Sequence, residues 1–265
     1  MLTLLKSIAT VFRFEGKRSI STTRLALWAL LACFPPLLLG LVRYYVGLPP
    51  QEEFYVVSIV IYVLCPGVVS MLGVLLWASP AIASELEGRS WVYPAVRPRG
   101  ALAVYLGKYL VAVAWTIPAA CFAAAGTSII MAPGNYRELI AVQCPLVVLS
   151  CLGYAAVYAL VGVLLPKRAM VACVFYTLAS EVILSTVPAA VNILTIQYRL
   201  RCLFVRWMEW DESLARGNPV FLAYFGKESA AWHLGALLAL AAGLLTLGAV
   251  VLRWREFTSE AEGDV

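Results

Sequence analysis

The chain has 265 residues, 62% of them hydrophobic and 13% charged, with a mean hydropathy of +0.86. Soluble domains carry about 25% charged residues, so this composition excludes a soluble globular protein and leaves little mass outside a bilayer. The +5 formal charge does not point to nucleic acid, because Lys and Arg in such a chain mark cytoplasmic loops, and the single histidine, His233, excludes a His-rich metal centre.

Residues 1 to 22 are too polar to span. Leu2, Leu5, Ile8 and Phe12 recur at helical spacing, while Lys6, Thr10, Arg13 and Lys17 form a polar stripe. This predicts an amphipathic helix lying in the headgroup plane, with Lys6, Arg13, Lys17 and Arg18 as its cations. The first apolar run follows this basic segment without a small-residue cleavage site, so it reads as a retained span.

Six runs approach the ~20 apolar residues a helix needs to cross the hydrocarbon core. They are Leu25–Val46, Phe54–Ser79, Val104–Ile130, Leu139–Leu165, Ala169–Val187 and Ala230–Leu252. Pro35, Pro36, Pro66, Pro118 and Pro145 lie inside them, where each removes a backbone donor and favours a bend. The cysteines sit in apolar segments except Cys202, and no CxxC pair or disulfide framework is present.

The basic residues set the expected orientation. Lys6 to Arg24, then Arg89, Arg97, Arg99 and Lys108, then Lys167 with Arg168, then Arg253 with Arg255 fall on one side. The short loops on the other side carry only Arg43 and Arg137. Both termini are therefore expected in the cytoplasm of a plasma membrane, the bacterial inner membrane. The long segment 188–229 is expected outside. Arg199, Arg201 and Arg206 argue against a further span there, since a central Arg costs about 2.5–3.5 kcal/mol on insertion scales. An interfacial or re-entrant helix fits better. The acidic tail 256–265 is expected in the cytoplasm.

The chain lacks GxxxxGK[ST], GxSxG and any paired catalytic carboxylates, so neither a nucleotide site nor an enzyme is expected, and no metal site is predicted. Glu181 is the exception inside a span. A carboxylate at that depth, roughly 18 Å beyond Ala169, is a candidate pathway or gate residue.

The connector after the second run, residues 80–103, reads Ser84-Glu85-Leu86-Glu87-Gly88-Arg89-Ser90-Trp91, followed by Arg97-Pro98-Arg99-Gly100 and Tyr105-Leu106-Gly107-Lys108-Tyr109. These residues resemble the Glu-x-Glu-x-Gly connector and the pattern opening the third span of ABC-2 type permeases. The order of elements also resembles that family. The resemblance implies an all-α integral membrane fold with ABC-2, type V exporter-like architecture. Residues 1–255 would form one permease domain, an interfacial helix plus six transmembrane helices. It implies the membrane subunit of an ATP-driven exporter. Its partners would be an ABC ATPase subunit in two copies, a second permease copy or paralogue, and the lipid bilayer. The chain itself would bind no cofactor; ATP and Mg would sit on the ATPase. Glu85, Glu87, Gly88, Arg89, Trp91, Arg97 and Arg99 would form the ATPase-coupling contact, with Glu85 and Glu87 also able to reach Arg13, Lys17 or Arg18. The sparse polar groups of the spans suit lipid-like cargo. The alternatives are a secondary transporter, or a membrane assembly or maturation factor without ATP coupling.

Overall fold

The computed structural model describes residues 2–47, 54–80, 85, 99–186, 193–210 and 228–254. All regular structure among them is helical. Helix α1 spans Leu2–Arg18, α2 Thr22–Val46 and α3 Phe54–Ala78, the last with a π-helical middle, Val63–Val69. Helix α4 spans Gly100–Met131 and α5 Tyr136–Leu164. Helix α6 is Ala169–Tyr176, and it runs on into a π segment, Thr177–Ile183, and a 3-10 turn, Leu184–Thr186. Helix α7 is Ile196–Trp207 and α8 is Ala230–Trp254.

Five of these, α2, α3, α4, α5 and α8, are long and apolar enough to cross a membrane. Helix α4, at 32 residues, is about 48 Å long and exceeds the hydrocarbon thickness. The run Ala169–Val187, expected as one spanning helix, instead changes pitch twice over its described residues 169–186, and it is not among these five. Helix α7 has 12 residues, about 18 Å, too few to cross. It lies against α5 and α8.

Helix α5 is the axis of the fold. It is buried along most of its length and touches α3, α4, α6, α7 and α8. Helices α2 and α8 are mostly exposed and present apolar flanks such as Leu30, Phe34, Leu37, Leu238 and Leu247. This inverts the rule for soluble bundles, and it suits a surface solvated by lipid rather than water.

Small residues set the crossings. A Cβ on Gly73 of α3 would come within 2.5 Å of Thr116 Cγ2 on α4, and one on Gly107 of α4 would come within 2.6 Å of Val11 Cγ1 on α1. Close backbone approach is how helices gain packing where lipid removes the hydrophobic drive. Helix α2 runs beside α4 in the same direction, Trp28 level with Trp115 and Gly40 level with Ile130. Two side chains pin it: Trp28 Nε1 donates to the Trp115 carbonyl at 3.0 Å, and Arg43 Nη1 donates to the Ile130 carbonyl. Trp115 lies three residues before Pro118, where a proline loosens the helical ladder and leaves carbonyls to be satisfied by a neighbour.

Pro35, Pro36, Pro118 and Pro145 sit within continuous α-helices. Pro66 is different and lies inside the π segment of α3. The carbonyls there are met from the side: Ser150 Oγ donates to the Pro66 carbonyl at 2.5 Å, and Ser70 Oγ to that of Cys65 at 3.1 Å. Such π turns occur often at functional sites.

Candidate functional site

Two polar constellations stand out against the apolar background. The first is at the base of α4. Glu85 Oε1 is 2.6 Å from Lys108 Nζ, and both side chains are about nine-tenths buried. Lys108 follows Gly107, the residue on which α1 rests through Val11. One turn of α4 therefore receives both the connector and the N-terminal helix. A buried pair of this kind contributes little net stability, but removing one partner strands a buried charge at a cost of about 3–5 kcal/mol.

Of the connector residues singled out in the sequence, Glu85 is thus turned into the protein, with Lys108 as its ion-pair partner where the sequence points to Arg13, Lys17 or Arg18. Arg99 is exposed and caps α4 in the left-handed region, φ 64°, a conformation uncommon for a residue with a side chain. Glu87, Gly88, Arg89, Trp91 and Arg97 lie outside the described residues, as does the tail 256–265. On α1, Lys6, Arg13, Lys17 and Arg18 are all exposed, and Arg18 pairs loosely with Glu15 at 3.8 Å. The opposite stripe, Ile8, Val11 and Glu15, faces the bundle and is half-buried.

The second constellation surrounds Glu181, which is 3% exposed. Its carboxylate accepts from Tyr176 Oη at 2.9 Å, Tyr154 Oη at 3.2 Å, the Gln197 backbone N–H at 2.8 Å and the Ile196 backbone N–H at 3.4 Å. The two backbone donors are the first N–H groups of α7, which the helix itself cannot satisfy. Glu181 therefore caps α7, with the positive end of the helix dipole facing the carboxylate. Thr195 completes the cap by accepting from the Tyr198 N–H at 3.3 Å. The π pitch of 177–183 turns Glu181 inward five residues after Tyr176, so both reach the same point.

The surroundings extend this contact. The Tyr154 hydroxyl is also 3.2 Å from Gln197 Oε1, so its one proton is shared between two acceptors. Tyr158, stacked on Tyr154 at 6.1 Å, exchanges a 2.6 Å hydrogen bond with Thr177. Arg201 Nη2 donates to the Ser185 carbonyl at 3.1 Å, and Ser185 Oγ donates to the Glu181 carbonyl. Tyr62, from the α-helical turn just before the π segment of α3, stacks on Phe204 of α7 at 4.7 Å. The two π segments thus flank one short helix.

At the α8 side of α7, Arg199 Nη1 is 3.4 Å from His233 Nδ1. A guanidinium only donates, so Nδ1 must accept and the ring proton sits on Nε2, 3.7 Å from Glu228 Oε2. His233 is fully buried. Cys202, on α7 between these groups, has its thiol pushed up to about 11 by burial and is therefore protonated and inert at neutral pH.

The residues around Glu181 come from three separate parts of the chain, so no spacing in the sequence joins them. Tyr154 and Tyr158, four apart on α5, were the visible signal: two hydroxyls on one face of the apolar C-terminal half of the helix. The Glu85–Lys108 pair has no local signature at all. Among the described residues no group of three or more His, Cys, Asp or Glu side chains could hold a metal ion. Comparison with family models, with curated proteins and with solved structures returns no match.

Proposed function

We propose that this chain is the membrane subunit of an ATP-driven transporter, an exporter of the ABC-2 kind, moved by a separate ATPase through the connector between α3 and α4. The observation that carries this reading is the buried Glu85–Lys108 ion pair beside the α1 seat on Gly107. A connector tied only by solvated charges would move independently of the bundle. This one is fixed to α4 at a desolvated contact, so a push on residues 86–98 reaches α4 and α1 together. Arg97 and Arg99 would face acidic residues of the ATPase, and closure of an ATPase dimer beneath two such chains would shift α4 against α5. The cargo class that suits the apolar bundle is a lipid-like or hydrophobic molecule.

The test is reconstitution with a P-loop ATPase that co-purifies with the chain, and ATP hydrolysis measured in lipid. Stimulation by the native chain, lost in Arg97→Glu/Arg99→Glu and kept in the swapped pair Glu85→Lys/Lys108→Glu, is the expected result. No stimulation by the native chain, or full stimulation by the double Arg variant, defeats the coupling.

A second reading, a carrier driven by an ion gradient, is favoured by one observation. Glu181 is a buried carboxylate within irregular helix, the setting in which coupling ions are bound in many carriers. Uptake that follows an imposed proton gradient without ATP would select it.

A further inference from the structure

Between α1, α2 and α4 lies a cleft of about 280 Å³. Phe12 and Gly16 of α1, Trp28 of α2, and Ala114, Trp115 and Pro118 of α4 line it. Its volume is just below the usual 300–1,000 Å³ range of small-molecule sites, and its walls are aromatic and aliphatic. Of the two indole N–H groups in its walls, that of Trp28 is already donated to the Trp115 carbonyl at 3.0 Å. No charged side chain is among the residues that line it.

Gly16 lines the space. It lies within α1, where glycine costs about 1 kcal/mol relative to alanine, yet a Cβ built on it would meet nothing within 4 Å. Exposed cations flank the lining residues of α1: Arg13 lies three residues before Gly16, on a neighbouring part of the helix surface, and Lys17 follows Gly16. Arg24, exposed one turn before Trp28 on α2, is tied to the turn between α1 and α2 by its 2.7 Å bond to Ser19 Oγ. Among the described residues of α1 and the turn into α2, Glu15 is the sole acidic side chain, and it lies 3.8 Å from Arg18.

We propose that this cleft binds one acyl chain of an anionic phospholipid from the surrounding leaflet, with the phosphate drawn to Arg13, Lys17 and Arg24. The apolar slot takes the chain, and the charge complementarity of the rim chooses the headgroup. Each basic residue near an anionic surface contributes enough to favour such a lipid by roughly fivefold. The lipid would fill the wedge between α1 and α4, next to the turn that carries Lys108. The inference holds whether or not an ATPase drives the protein.

The experiment uses the full chain, purified in a nonionic detergent and given equal amounts of phosphatidylglycerol and phosphatidylcholine of the same acyl composition. Lipid retained after gel filtration is counted by mass spectrometry. The native chain is expected to retain about one phosphatidylglycerol, at least about fivefold over phosphatidylcholine. Gly16→Leu, which fills the slot from α1, and Ala114→Phe, which fills it from an exposed position on α4, should each lower retention by more than about fivefold. Arg13→Gln/Lys17→Gln should keep the total lipid and lose the preference. Equal retention of both lipids by the native chain overturns the proposal, and so does undiminished retention in Ala114→Phe, whose exposed site keeps the test valid if Gly16→Leu misfolds. A lipid-free dimer in which a second copy fills the cleft also overturns it.

Discussion

At the scale of single residues, the two buried carboxylates differ in how they are satisfied, and their variants should differ accordingly. Glu85 is paired with a cation, Lys108. Glu85→Gln or Lys108→Met alone should lower stability by about 3–5 kcal/mol, because each breaks a buried ion pair, while the double variant should recover most of the loss. Thermal unfolding of the four proteins in one detergent measures the cycle. Glu181 depends on four neutral donors. Glu181→Gln replaces one acceptor oxygen by a donor that must face a hydroxyl or a backbone N–H, so a loss of about 2–3 kcal/mol is expected. Tyr176→Phe should cost only about 1–1.5 kcal/mol, since the carboxylate keeps three donors. A neutral effect of Glu181→Gln in the same assay would mean that the α7 cap is not formed in the bilayer. Glu181 was legible in the sequence as an isolated charge in a span, but its partners were not. Hydropathy reports how polar a position is and says nothing of which distant residue answers it.

At the scale of elements, the long apolar helices were read with boundaries within a few residues, because about 20 apolar residues in a row leave one physical solution. The α4 start at Gly100, four residues before the apolar run at Val104, shows what hydropathy misses. A helix continues past the hydrocarbon as long as its hydrogen bonds do. The run at 169–187 was the harder case. Its composition is that of a span, yet Glu181 and the α7 N-terminus impose a wider pitch, and no residue pattern announces a π turn. The α1–α4 contact gives the test at this scale. Gly107→Val places a branched side chain where Val11 already sits, and should cost about 1–3 kcal/mol and free α1 from the bundle. Proteolysis between α1 and α2, near Ser19 to Ser21, should quicken in that variant.

For the whole molecule, five long apolar helices, with α5 buried against the others, are consistent with a multi-pass membrane protein. The chain should stay in the membrane fraction after alkaline carbonate extraction, and release into the supernatant would contradict the fold. Helix α4 places its two ends about 48 Å apart, so if it crosses the bilayer, Arg99 and the turn at Gly134 open on opposite faces. Cysteines introduced at Lys17 and at Gly134, in a background lacking the native seven, should label from opposite sides of sealed vesicles with an impermeant maleimide. Labelling of both from one side would exclude α4 as a span. Which face is cytoplasmic rests on the charge pattern alone, and the same experiment in oriented vesicles reads it directly.

A carboxylate has two oxygens and about four acceptor sites, and at Glu181 two phenols and two amides occupy them all. No vacancy is left for a proton in transit, a cation or a cargo hydroxyl. Any part Glu181 plays in a pathway therefore begins with a departure: one of its four donors must withdraw before anything else can bind. Departure of the Ile196 and Gln197 amides would carry α7 off its seat, whereas departure of a phenol would leave the helix in place.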